Sequence, residues 1–280
     1  VSGLGDVYKR QKNDTFEKNT RSNGYIDSLD GAANDKLMMK WFQKMTIQQY
    51  QRNQSIPEFT AVCQAMEQCF QSITGYSDVK VQYNLATKEI DVIYKDLNSH
   101  YARIPMTQLS DGYRCTISLI ADIAYRMAIL NPQLLNHVLE ETEGIVLIDE
   151  VDLHLHPSWQ QRILKDLLSI FPKVQFIVST HAPAVINSVD SDSLIILKDD
   201  EIITAPDETY GKDVNTILRE VMEVSERPHD VKQLFGEFYE LLDADDYAGA
   251  EKKLNRLEEL LGNNDGEVNA CRVRLELEQL

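Results

Sequence analysis

Three short stretches of this sequence carry residue types, at a spacing, that could act on a phosphate. Residues 144–157 read Gly-Ile-Val-Leu-Ile-Asp-Glu-Val-Asp-Leu-His-Leu-His-Pro. An apolar run that ends on Asp149 and Glu150 can hold a divalent cation on the first carboxylate, directly or through a water. The second can then orient and deprotonate a water attacking a γ-phosphate. Residues 109–114 read Leu-Ser-Asp-Gly-Tyr-Arg. If a helix starts there, Ser110 and Gly112 stand at its positive end, where free backbone N–H groups can receive a phosphate, and Arg114 adds a fixed cation. Residues 179–183 read Ser-Thr-His-Ala-Pro, in which His181 could touch the γ-phosphate and sense its loss. Each stretch also has a plainer reading: a polar turn after a core strand, an ordinary helix cap, and a hydrogen-bonded loop histidine. His154 and His156 form an H-x-H, but no Cys or third His stands nearby at the spacing a zinc site needs.

The elements that must position these groups follow from apolar periodicity. Residues 145–148 are too few for an ordinary helix and rich in β-branching, as in a strand buried on both faces of a parallel sheet. Residues 174–178 predict the next parallel strand. The carboxylates and His181 then lie just beyond the carboxyl ends of strands, where open α/β sheets bind ligands. Residues 114–130 predict a deeply packed helix closed by Asn131-Pro132. Pro157 predicts a first helical turn, with Trp159, Ile163, Leu167, Leu168 and Phe171 on the buried side. Upstream, residues 35–52 and 57–73 have helical spacing, with Asp35 as N-cap and Gly75 as stop. Residues 79–85, 89–95 and 101–106 predict a small antiparallel sheet, and residues 194–197 and 202–204 a hairpin at the edge of the main sheet, turning at residues 199–200. Residues 213–224, 231–242, 247–261 and 268–280 predict helices, the middle two as an antiparallel pair. Residues 13–35 read as a polar loop, with a short ordered patch at most over 25–30.

The sequence has 280 residues, 43% of them hydrophobic, with a mean hydropathy of −0.34, which suits one large α/β domain or a domain with an appended module. No apolar run approaches the roughly 20 residues of a membrane span. Cys63, Cys69, Cys115 and Cys271 have neither metal-ligand spacing nor the pattern of a small disulfide framework, which fits a reduced, cytosolic setting. Net charge is −17, and from residue 213 onward 17 acids face 8 bases. Such a tail repels phosphate backbones, so its natural partner is a protein rather than a nucleic acid.

Taken in their order along the chain, the three stretches resemble the ABC-type ATPase family, in the branch that contains the SMC, RecF and OLD proteins. Residues 109–114 are similar to the signature motif, 145–150 to Walker B, 153–156 to the D-loop, and His181 to the switch histidine. The resemblance implies an α/β fold: an ABC-type P-loop NTPase core with a mostly parallel sheet, flanking helices and a small antiparallel subsheet, followed by a helical C-terminal module. It implies ATP and Mg²⁺ as cofactors, Glu150 and His181 as catalytic residues and Asp149 at the metal. Ser110, Asp111, Gly112, Arg114 and His156 would meet the nucleotide. It further implies a homodimer or higher oligomer, with ATP sandwiched between Asp149 and Glu150 of one subunit and Ser110, Gly112 and Arg114 of the other. Within the family, the blend of motifs is most similar to the ATPases of Septu-type antiphage systems and of some retrons. That implies a cytoplasmic bacterial ATPase without a membrane domain, working with an HNH nuclease on nucleic acid. The alternatives are a RecF- or SMC-like DNA repair ATPase, an OLD-type nuclease-associated ATPase, and a nonhydrolytic nucleotide-binding scaffold.

The expected divisions are a non-native leader over 1–12, a helical insert over 13–78, the ATPase core over 79–212 and the helical module over 213–280. The sequence holds no G-x-x-x-x-G-K-[ST]: Gly211-Lys212 is followed by Asp213, and no Gly stands five positions before Gly211. ABC ATPases carry that loop and a Q-loop ahead of the signature motif, so both are expected in an N-terminal part beyond these residues. The apolar faces of residues 145–148 and 174–178 are then expected to be partly uncovered, and this stretch alone is expected not to hydrolyse ATP.

Overall fold

The structure, a computed structural model, describes residues 35–199, 201–205 and 208–279. The expected leader, the polar loop with its patch, and the side chain of Asp35 lie outside the described residues. Two helices come first, α1 (Asp35–Arg52) and α2 (Pro57–Thr74). Pro57 sits in the first turn of α2, where its missing N–H costs nothing. Gly75 ends the helix with φ 71°, its N–H bonded to the Gln71 carbonyl. Trp41 of α1 meets Phe42 edge-on at 5.5 Å between ring centroids and Phe59 of α2 at 5.4 Å. Strands β1 (Ser77–Asn84), β2 (Glu89–Lys95) and β3 (Tyr101–Pro105) then form the expected antiparallel sheet, in chain order. Alternate β1 residues Val79, Val81 and Tyr83 are buried, as a half-covered sheet requires. Asp91 of β2 is a buried acid, satisfied by Asn84 Nδ2 donating at 3.0 Å and by Arg103 at 3.8 Å.

Helix α3 (Asp111–Leu130) is the packed helix that the sequence predicts, followed by α4 (Val138–Glu141) and the central strand β4 (Gly144–Ile148). The segment after Pro157 is not one helix but two, α5 (Pro157–Gln160) and α6 (Ile163–Ile170). Leu168, expected on its buried side, is exposed, whereas Ile163, Leu167 and Phe171 are buried. Strand β5 (Val174–Val178) pairs with β4 in parallel, and α7 (Pro183–Ile186) follows. Within this stretch β4 reads as a buried strand that is only partly covered, and that is how it stands. Val146 and Ile148 pack on the core, but Ile145 and Leu147 are 66% and 74% exposed, as is half of Ile177 on β5, because no described element lies over that face.

Strands β6 (Ile195–Lys198) and β7 (Glu201–Thr204) pair as a hairpin, but among the described residues they form their own two-stranded sheet rather than the edge of the β4–β5 sheet. Helices α8 (Val214–Glu220), α9 (His229–Asp243), α10 (Tyr247–Leu261) and α11 (Gly266–Glu278) complete the chain. The fold class is thus α/β, with a parallel pair, a small antiparallel sheet, flanking helices and C-terminal helices.

The chain divides into two compact units, residues 1–185 and 186–280. One apolar cluster in the first unit joins α1 and α2 to the antiparallel sheet, α3, α6 and β5, so the helices read as an insert share the core of the segment that follows them. Burial pushes the thiols of Cys63 and Cys69 in this core up to about 12, which makes them packing residues rather than nucleophiles. In the second unit Ile186, Ile217 and Val221 form one cluster, and α9, α10 and α11 form another around Phe238, Leu257 and Val268. No helix among the described residues is long and apolar enough to cross a membrane.

Candidate functional site at the ends of the parallel strands

The β4–β5 register sets the first part of the site. It pairs Ile148 with Val178, so the next residues, Asp149 and Ser179, leave the sheet side by side. The Ser179 N–H donates to the Ile148 carbonyl at 2.9 Å, and the Val151 N–H to the Ser179 carbonyl at 3.0 Å, which carries the strand pairing one step past the sheet. The Ser179 hydroxyl donates to Asp149 Oδ1 and accepts the Glu150 N–H at 2.8 Å. One residue on, the Thr180 hydroxyl donates to Asp152 Oδ1 and accepts the Ala182 N–H at 3.0 Å. That i to i+2 bond is a hydroxyl-capped turn with the exposed His181 at its centre.

The loop after β4 carries backbone strain. Glu150 has φ 52° and His154 φ 64°, left-handed values that cost a non-glycine residue on the order of 1–3 kcal/mol and persist only where surrounding bonds fix them. Buried Val151 and Leu155 anchor the loop, while Asp149 and Glu150 stay exposed. Among the described residues no Lys or Arg pairs with Asp149, Glu150 or Asp152. Nor does any group of three or more His, Cys, Asp or Glu there form a metal cage. A cation at Asp149 would therefore draw most of its oxygens from water and a ligand, which is how Mg²⁺ sits on a nucleotide. One Asp149 oxygen is engaged by Ser179 and the other is open, so the donor set fits that ion.

The second part of the site is the start of α3. Ser110 is its N-cap in extended conformation, and its side chain makes no capping bond. Gly112 is buried because the loop after β4 comes so close: a Cβ there would lie 2.9 Å from the His154 carbonyl oxygen and 2.9 Å from the Trp159 ring. Tyr113 packs on the same indole at 4.4 Å between centroids. His156 is the N-cap of α5, with Nδ1 accepting the Ser158 N–H at 3.3 Å. Asp111 and Arg114 pair with each other at 2.8 Å on the surface. The structure thus brings Asp149 and Glu150 together beside the turn that holds His181, and sets Gly112 against the loop carrying His154. Among the described residues no hydrogen bond or ion pair joins Ser110, Asp111, Gly112 or Arg114 to Asp149 or Glu150. Sequence reasoning missed Ser179, Thr180, Asp152 and the close approach of Trp159. The available signal was a pair of hydroxyl residues placed immediately at the end of β5.

A family profile described as "AAA domain, putative AbiEii toxin, Type IV TA system" matches residues 10–187. The chain is 36% identical over 208 residues to the "Retron Ec83 probable ATPase" of Escherichia coli, a match covering 74% of this chain and 36% of that protein. It is 32% identical over 165 residues to the "Septu protein PtuA" of Bacillus thuringiensis, covering 54% of this chain and 40% of that one. The chain therefore spans well under half the length of these relatives. Among solved structures, a chain from work on ATP-driven dimerization and DNA-stimulated activation of SMC ATPases matches with a TM-score of 0.38 at 14% identity, covering 59% of this chain and 88% of that one.

Proposed function

This chain belongs to the AAA domain family, and on that premise we propose that the full-length protein is a Mg²⁺-dependent ATPase working beside a nuclease in bacterial antiphage defence. The observation that carries the chemistry is the strand-end pair Asp149 and Glu150, exposed, unmatched by any described cation and fixed through Ser179. Asp149 would hold Mg²⁺ through the oxygen Ser179 leaves open, and the ion would supply charge neutralisation to the phosphates. Glu150 orients a water in line with the γ-phosphate and takes its proton. His181 donates a hydrogen bond to the γ-phosphate and loses that partner when the phosphate leaves.

A second copy completes the site. Its Ser110 hydroxyl, uncommitted to its own helix, meets the phosphate together with the backbone at Gly112. Its Arg114 exchanges Asp111 for the phosphate, and His156 approaches from the loop after β4. Hydrolysis then requires a homodimer or higher oligomer. The likeness to the retron and Septu proteins supports the defence setting, and with it a cytoplasmic location and an HNH nuclease partner acting on nucleic acid. The acidic helices α9 to α11 suit docking to a protein.

The test is Glu150→Gln in the full-length protein. It keeps the shape of the side chain and removes the base, so ATP binding is expected to persist while turnover falls by at least about a hundredfold. ATP-bound assemblies should accumulate on a sizing column. Near-normal turnover would make Glu150 structural.

A further inference from the structure

We infer that Ser179 is a positioning residue that sets both carboxylates of the site at once, and that it does so through one hydroxyl. The inference rests on the ATPase reading of Asp149 and Glu150. A serine hydroxyl has one proton to give and lone pairs to accept with, and here both capacities are used in opposite directions. The proton goes to Asp149 Oδ1, which fixes the rotation of that carboxylate and leaves Oδ2 for a cation. The lone pair takes the Glu150 N–H at 2.8 Å, which is the bond closing the left-handed backbone of that residue. Glu150 has φ 52°, a conformation its side chain disfavours, so the direction in which its carboxylate leaves the chain depends on whatever holds the peptide. The hydroxyl sits on the residue that follows β5, not on the loop it controls, and its own backbone is tied to both Ile148 and Val151. The position of Glu150 is thus referenced to the end of the neighbouring strand as well as to its own loop.

The same strand end continues into Thr180, bonded to Asp152, and then into His181. Three consecutive residues directly after β5 therefore hold the metal-side acid, the base and the loop beyond, and carry the histidine expected to feel the γ-phosphate. A shift of His181 on phosphate loss would be passed to Glu150 through one residue of backbone and one hydroxyl. Serine and threonine both supply that hydroxyl, and exposed Ser179 has room for an added methyl. Alanine supplies nothing, and water replaces a fixed donor and acceptor with a mobile one.

The experiment compares Ser179→Ala and Ser179→Thr with wild type in the full-length protein, alongside Glu150→Gln. Losing one charge-assisted bond predicts roughly a tenfold fall in turnover for the alanine variant. It also predicts a several-fold rise in the Mg²⁺ concentration giving half-maximal rate, and faster hydrogen exchange of the Glu150 amide without nucleotide. The threonine variant should recover all three. An alanine variant with unchanged exchange at Glu150 and unchanged Mg²⁺ dependence, in a protein whose Glu150→Gln form is dead, overturns the positioning role and leaves the ATPase reading standing. Loss of activity that threonine does not rescue also overturns it, since bulk rather than the hydroxyl would then matter. An active Glu150→Gln protein would instead remove the reading on which the inference rests.

Discussion

The ends of the parallel strands and the C-terminal helical module are both rich in acids, and they treat those acids in opposite ways. In the module several carboxylates are paired with a cation. Arg227 donates to both oxygens of Asp265 at 2.9 and 3.0 Å, pairs with Glu267 at 2.9 Å and lies over the Phe235 ring at 5.1 Å. Lys253 pairs with Glu237, and Arg272 with Glu258. At the strand ends the Asp149 and Asp152 carboxylates accept from hydroxyls, the Glu150 N–H donates to one of those hydroxyls, and no cation among the described residues pairs with any of the three. Compensated acids hold helices together. Acids held in place but left uncompensated are set to receive a cation from outside.

The comparison predicts that stability and activity separate by region. The largest stability effect is expected inside the first unit, where Gly112 lets α3 reach the loop after β4. Gly112→Ala places a methyl 2.9 Å from a backbone oxygen, which cannot move aside as a flexible side chain would. Overpacking of this kind costs about 1–3 kcal/mol, to be read as a lower urea midpoint with an unchanged slope. An unchanged midpoint would mean that the approach of Trp159 and His154 is loose.

A smaller loss, about 1–2 kcal/mol, is expected for Arg227→Ala, which strips Asp265 of its partner while that side chain still caps α11. This effect should depend on pH. The hydrogen bond from Arg227 holds the Asp265 carboxyl below its usual range. A group whose folded value is depressed adds stability above its unfolded value, about 3.9 for Asp, and loses it as pH falls through the folded value. The gap between wild type and Arg227→Ala should therefore be full at neutral pH and close in acid below pH about 4. A gap that stays constant down to pH 2 would assign the loss to packing on Phe235 instead.

Much of this was legible in the sequence. The bounds of α1, β2, β5 and α10 match the predicted ones because each is closed by strong punctuation or by a clean change of period. Asp149 and Glu150 stood out as carboxylates directly after a short apolar run, a pattern that a polar turn after a core strand also gives, and the two other stretches singled them out. Other features needed the register. That Asp149 lies beside Ser179, 30 residues away, follows only once Ile148 is paired with Val178. Gly112 was read for its backbone N–H, whereas the structure shows what a side chain there would strike. Residues 145–148 were legible as a strand because all four are apolar, and partial exposure was expected of them, but which of the four are exposed needed the structure. The break between α5 and α6 lies in a continuous apolar pattern and left no sequence signal.

The smallest stability effect, within about 0.5 kcal/mol, is expected for Asp149→Asn, because the amide oxygen can still accept from Ser179 on an exposed surface. Its effect on activity should be large, and this variant gives the most direct test of the distinction between held and compensated acids. The measurement is the Mg²⁺ dependence of ATP hydrolysis by full-length Asp149→Asn, with its thermal midpoint recorded on the same sample. The expected result is an unshifted midpoint with the half-maximal Mg²⁺ concentration raised at least about tenfold, the loss of one charged ligand to the ion. A lowered midpoint with an unchanged Mg²⁺ requirement would contradict it and place Asp149 among the structural acids.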